Sequence, residues 1–132
     1  MDKIEDNLYL GDITGASNKL GLQKEGITHV LTVASNRRPL FPESFVYKVI
    51  NVHDVPSTNL LAHFNSAFSF INAAVNEGGI VFVHCFAGAS RSATIVIAYL
   101  MKERGMSLRE AYRFVKSKRC FINPNEGFVK QL

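Results

Sequence analysis

Apolar residues along this chain fall into short alternating or continuous runs and longer helical repeats, and these patterns predict the elements. Asn7 to Leu10 reads as a short strand and Lys19 to Lys24 as a short helix. Thr28 to Val33 (T-H-V-L-T-V) reads as a buried strand closing on the polar stretch Ala34-Ser35-Asn36-Arg37-Arg38. Phe45 to Val52 is a second strand. After the turn-like Asp54-Val55-Pro56-Ser57-Thr58, Asn59 is placed to cap a helix on which Leu60, Leu61, Phe64, Phe68, Ile71 and Val75 recur at helical spacing, ending near Gly78-Gly79. Ile80-Val81-Phe82-Val83 is a continuous β-branched and aromatic run, the pattern of a strand covered on both faces, and it leads straight into His84-Cys85.

The rest of the chain is helical. Arg91 to Arg104 is apolar nearly all round from Ala93 to Met101, which predicts a helix buried in the core and stopped by Gly105. Ser107-Leu108-Arg109-Glu110 is a capping box opening a helix to about Lys118. Asn123-Pro124-Asn125-Glu126 opens a last short helix, with Pro at its first position. No internal repeat or linker interrupts this order. The prediction is one α/β domain over residues 1–132, with a central, mostly parallel sheet of about five strands flanked by helices.

Composition narrows the function classes. With 47% hydrophobic residues and no run near the roughly 20 apolar residues of a membrane span, a globular protein without a membrane partner is expected. The opening Met-Asp-Lys-Ile-Glu-Asp has neither a signal peptide's apolar stretch nor the Gly of a myristoylation site, so the expected location is the cytoplasm, with the nucleus also open. The net charge of +4 suits anionic ligands but is too small and scattered to argue for nucleic acid, and no nucleic-acid-binding signature occurs. A chain with two cysteines and no secretory signal is not expected to hold a disulfide framework. His29, His53, His63 and His84 lack ligand spacing, so neither a metal nor a cofactor is expected.

Candidate chemistry concentrates in His84-Cys85-Phe86-Ala87-Gly88-Ala89-Ser90-Arg91-Ser92, between the most buried-looking strand and the most buried-looking helix. A short loop of small residues running into a helix N-terminus can turn successive backbone N–H groups towards a phosphate, aided by the helix dipole. Gly88 lets such a loop take backbone angles that other residues resist. The same donors favour the ionised thiol of Cys85, the candidate nucleophile. Arg91, six residues further on, can grip two phosphate oxygens with its planar fork, a geometry lysine cannot reproduce. Ser92 can donate its hydroxyl towards the sulfur and stabilise it as a leaving group. Ser90 is a candidate N-cap, and His84 either hydrogen-bonds the loop backbone or is a plain core histidine. Cys120, beside Lys118, Arg119 and Phe121, reads as a structural or incidental thiol.

Departure of an alkoxide or phenoxide needs a proton from a carboxylic acid on another loop. Asp54 is the candidate, because it follows the strand Phe45 to Val52 and would open at the same sheet edge as the phosphate loop if the strands are parallel. A turn-forming Asp before Pro56 is the plain alternative, and Asp12 in Gly11-Asp12-Ile13-Thr14-Gly15 is a weaker candidate acid.

Taken together, the segments Ile4 to Gly11, Gly26 to Leu31, Asp54 with Asn59-Leu60, His84 to Ser92, Ala98-Tyr99-Leu100-Met101, and Asn123 to Phe128 with Gln131-Leu132 resemble a dual-specificity protein phosphatase over almost the entire chain. The resemblance implies a protein tyrosine phosphatase-like fold and a two-step reaction without metal or cofactor. Cys85 would form a phosphocysteine, Arg91 and the loop residues 84 to 90 would bind the phosphate, and Asp54 would act first as acid and then as base. It implies a phosphorylated protein as partner and a shallow pocket accepting phosphotyrosine and phosphoserine or phosphothreonine alike, in a monomer of the small, atypical subgroup without a kinase-docking domain. The loop Phe86-Ala87-Gly88-Ala89-Ser90 carries no lysine, unlike relatives that hydrolyse inositol phospholipids.

Overall fold

A computed structural model describes residues 1–132. Five strands, β1 (Asp2–Glu5), β2 (Leu8–Gly11), β3 (His29–Val33), β4 (Val46–Ile50) and β5 (Val81–His84), form one sheet in the order β1-β2-β5-β3-β4. β2, β5, β3 and β4 run parallel, and β1 pairs antiparallel with β2 at one edge. The expected α/β domain with a mostly parallel five-stranded sheet is therefore observed.

Strand alternation sends side chains to two separate cores. Leu8, Leu10, Leu31, Val33, Val81 and Val83 face the larger one, covered by α3 (Phe64–Asn76), α4 (Arg91–Arg104) and α5 (Leu108–Lys118). Tyr9, Val30 and Phe82 point the other way, into a smaller cluster closed by Ala16 of α1 (Ile13–Ala16) and Leu22 of α2 (Lys19–Lys24). Helices on both faces are what the continuous apolar run of β5 requires. α4 is buried at every residue from Ser92 to Leu100, as its all-round apolar pattern predicts, and Gly105 ends it in the left-handed conformation. The capping box of Ser107 and Glu110 opens α5 with both hydrogen bonds made.

Four details differ from the sequence reading. β1 is a strand although only Ile4 of its residues is buried; pairing with β2 and the forked ion pair of Arg104 Nε and Nη2 with Glu5, both at 2.9 Å, hold it. The four-residue α1 follows β2, capped by Asp12, whose Oδ1 accepts from Gly15 N at 3.0 Å. α3 is entered through a 3-10 turn, Leu61–His63, over which Asn59 Oδ1 accepts from Ala62 N. The last helix, α6 (Glu126–Gln131), begins after Pro124, because Asn125 is its extended N-cap and residues 123–125 are tied to the Cys85 loop: Asn123 N donates to Ala89 O at 2.7 Å and Asn125 N to Ser90 Oγ at 2.9 Å. No helix is long and apolar enough to cross a membrane.

The weight of α4 in the core is testable. Ile97 is fully buried, and Ile97→Ala should lower unfolding free energy by about 2–5 kcal/mol, with Ile97→Val costing about 0.5–1.5 kcal/mol. Urea titrations would show this as a lower midpoint at unchanged slope; a loss below that of the valine variant would mean the helix is not packed as described.

Candidate active site

The loop Cys85 to Ser90 leaves the carboxyl end of β5 and enters α4. Its carbonyl oxygens are bound from outside one after another. Phe86 O accepts from Ile13 N at 2.9 Å, Ala87 O from Arg119 Nη2 at 3.2 Å, Gly88 O from Arg119 Nε at 2.9 Å, and Ala89 O from Asn123 N at 2.7 Å. All peptides here are trans, and a trans peptide holds its C=O and N–H on opposite sides, so outward carbonyls leave the following amides facing the loop's interior. Of the amides of residues 86 to 90, only that of Gly88 has a protein partner: it donates to Cys85 Sγ at 3.2 Å. The rest form a cradle of donors suited to an oxyanion.

Cys85 lies at the floor of this cradle, 2% exposed, with Ser92 Oγ 3.0 Å from its sulfur. Arg91 opens α4 at the rim. Its Nη1 donates to Val52 O at 2.9 Å, which fixes the guanidinium plane, while its Nε is buried and has no partner in the protein. A buried donor without an acceptor is costly, by about 1–3 kcal/mol, unless something binds it. With Nη1 occupied, the Nε and Nη2 edge is left as a two-pronged donor of the kind that binds paired oxygens. Phe86 is 54% exposed, its ring under the Arg37 guanidinium at 5.3 Å, and Ala87 is exposed beside it. Cys120 is exposed at the end of α5, outside the loop.

Ser90 stands at the N-cap position of α4, but its hydroxyl makes no cap bond and instead accepts from Asn125 N. His84 is buried beneath the loop, stacked on Phe82 at 5.4 Å. Its Nδ1 is 3.2 Å from Cys85 O, which can only accept, so Nδ1 carries the hydrogen and Nε2 accepts from the Thr32 hydroxyl at 2.8 Å. Both alternatives raised by the sequence hold at once: it is a core histidine that also fixes the loop's first carbonyl. Burial pushes its pKa from the ordinary 6.5 to about 4, overriding the Cys85 carbonyl that favours the cation.

Asp54 lies exposed on the loop after β4, and its Oδ1 accepts from Asn125 Nδ2 at 2.9 Å. That loop is tied down on several sides. Thr58 Oγ1 donates to His53 O, Gln131 Nε2 donates to Thr58 O, and a Cβ at Gly127 would collide with the Pro56 carbonyl. Because Arg91 holds Val52 O two residues earlier, the Asp54 loop and the helix start that follows the Cys85 loop are joined directly. Asp12 is occupied elsewhere, capping α1 and facing Arg119 Nη2 at 3.6 Å. Burial pushes its carboxyl up, but the Gly15 amide and the Arg119 charge outweigh that and hold it below the usual carboxylate value, which suits a structural anion better than a proton donor.

Sequence reasoning missed Arg119, Asn123, Asn125 and Gln131, which hold the two loops from the C-terminal segment. The run Asn123-Pro124-Asn125 carries a signal, since it is rich in turn formers and cap residues. Arg119 carries none, sitting among Lys116, Lys118 and Cys120 like any solvated basic residue.

Residues 8–132 match a family model described as dual specificity phosphatase, catalytic domain. The chain is 54% identical over 129 residues to dual specificity protein phosphatase 1 of Arabidopsis thaliana, an alignment covering 98% of this chain and 65% of that protein. It is 48% identical over 132 residues to dual specificity protein phosphatase 1B of Arabidopsis thaliana, covering 100% of this chain and 79% of that protein. In three dimensions it matches the human tyrosine phosphatase-like serine/threonine/tyrosine-interacting protein with a TM-score of 0.95 and 40% identity, over 99% of this chain and 91% of that one.

The neutral state of His84 has a consequence for pH. With a folded pKa of about 4 against an ordinary 6.5, the native state binds fewer protons than the unfolded state between those values. Stability from this group is complete above the unfolded value and falls as pH drops through the window. Between pH 7 and pH 5 the urea midpoint of the wild type should therefore fall further than that of His84→Gln, which cannot titrate. An equal fall in both would show that His84 is not held neutral.

Proposed function

The chain belongs to the dual specificity phosphatase family, and from that premise we propose that it is a protein phosphatase hydrolysing phosphotyrosine and phosphoserine or phosphothreonine through a phosphocysteine at Cys85. The observation that carries the proposal is one buried sulfur contacted by the Gly88 amide at 3.2 Å and the Ser92 hydroxyl at 3.0 Å, at the floor of a loop that ends on an arginine whose buried Nε has no partner in the protein.

In the first step the Cys85 thiolate attacks phosphorus, forming an S–P bond as the P–O bond to the substrate breaks. Asp54, as carboxylic acid, gives its proton to the departing oxygen. The loop amides and Arg91 hold the equatorial oxygens, where negative charge accumulates during in-line transfer. In the second step the Asp54 carboxylate takes a proton from water, the water oxygen bonds to phosphorus, and the S–P bond breaks. Ser92 Oγ, at 3.0 Å, donates to the returning thiolate and makes it a better leaving group. Asn125 would steady the Asp54 carboxylate through the bond to Oδ1, leaving Oδ2 for the proton.

A second reading, a phosphoprotein-binding module without turnover, draws on the structural likeness to a protein named as phosphatase-like and interacting. Against it stand the nucleophile, the serine beside it and the acid, all present in one chain. Cys85→Ser should abolish hydrolysis of p-nitrophenyl phosphate while retaining affinity for a phosphopeptide, as isothermal titration would report; a substantial residual rate would rule out covalent catalysis by Cys85. Asp54→Asn should slow alkyl phosphate hydrolysis by about 10²–10⁴-fold. Its effect on esters with good leaving groups should be much smaller, and a uniform effect across leaving groups would exclude a proton-donating role.

A further inference from the structure

Arg119 is the most heavily engaged charge in the protein. It is 4% exposed, at the extended residue that ends α5, and a buried guanidinium is stable only when its donors are satisfied. Nη1 donates to Asp2 Oδ2 at 2.9 Å, Nη2 lies 3.6 Å from Asp12 Oδ2, and the group stacks over the Phe121 ring at 4.3 Å. The Nε and Nη2 edge then spans two successive carbonyls of the phosphate-binding loop, Gly88 O at 2.9 Å and Ala87 O at 3.2 Å. The planar fork of arginine matches such a pair of acceptors, and a single ammonium does not.

Peptide planarity turns this outer contact into an inner one. With Ala87 O drawn outward, the Gly88 N–H must point inward, and it reaches Cys85 Sγ at 3.2 Å. With Gly88 O drawn outward, the Ala89 N–H is turned the same way. The approach also explains the glycine: Gly88 has φ 67°, and a Cβ there would sit 2.6 Å from Arg119 Nη2 and 2.5 Å from Gly11 O.

We infer that Arg119 is a positioning residue, which never touches substrate but aims the Gly88 and Ala89 amides at the phosphate site by holding the Ala87 and Gly88 carbonyls outside it. The inference rests on the phosphatase reading for its functional meaning, but its test does not need turnover. Alkylation of the whole 132-residue chain by iodoacetate, an anion, and by iodoacetamide, a neutral near-isostere, is followed at Cys85 by peptide mass spectrometry, which separates it from the exposed Cys120. Tungstate affinity is measured alongside by thermal shift.

Arg119→Met and Arg119→Lys should both weaken tungstate binding and kcat/KM by about 10–100-fold, the usual scale for loss of an outer-shell contact. Both should also lower the ratio of iodoacetate to iodoacetamide rates, with lysine giving little rescue. A general loss of packing would alter the two alkylation rates together and leave their ratio unchanged. Asp2→Asn removes only the Nη1 partner and should shift tungstate affinity in the same direction by a smaller factor, which keeps the test open if a variant at Arg119 fails to fold. Wild-type tungstate affinity and alkylation ratio in folded variants, or full rescue by lysine, would overturn the inference. An inert wild type that still loses tungstate affinity in these variants would instead count against the phosphatase reading alone.

Discussion

The outward anchoring of four successive carbonyls, from Phe86 to Ala89, is the constraint on which the rest of the site depends. A loop of small residues has many conformations open to it, and amides converging on one point repel each other through their aligned partial charges. Bonds made on the far side of each peptide remove that freedom without occupying the near side. The donors come from three places: the start of α1, the end of α5, and the segment before α6. Chain segments distant in sequence are thus required before Cys85 acquires its surroundings.

The sheet explains why those segments meet. β5 lies between β2 and β3, so the loop after it emerges at the middle of the carboxyl edge, where ligands of open parallel sheets are commonly bound. The connection after β2 supplies Asp12 and, at the start of α1, Ile13, and the loop after β4 supplies Val52 and Asp54. Arg91 and Asn125 bridge from the Cys85 loop to the Asp54 loop, so the Asp54 carboxylate is held by the same network that holds the amide cradle. His84 beneath the loop is held neutral by its burial, with the Arg37 charge acting in the same direction.

Much of this was legible in the sequence, for reasons that are local. The helical repeats of α3, α4 and α5, the apolar run of β5 and the capping box at Ser107 each express their structure within at most 14 residues, and the structure follows them closely. Cys85, Arg91 and Ser92 could be singled out because strand, loop and helix are contiguous. What escaped depends on distance. β1 has one apolar residue and is defined by its partners, and Pro124 lies outside the helix, where Asn123 and Asn125 bond the loop after Cys85. Arg119 and its partner Asp2 are 117 residues apart, and nothing local distinguishes this arginine from the solvated lysines around it.

The claim that joins these observations is that the cradle exists to hold phosphate on the Cys85 sulfur. Rapid acid quench during turnover of a phosphotyrosine peptide, followed by mass spectrometry of the peptide containing Cys85, tests it most directly. The account predicts a phosphate adduct on Cys85 that appears within the first turnover and is absent from unreacted enzyme. Turnover proceeding at full rate with no phosphate ever found on Cys85, or with the adduct on another residue, would contradict it.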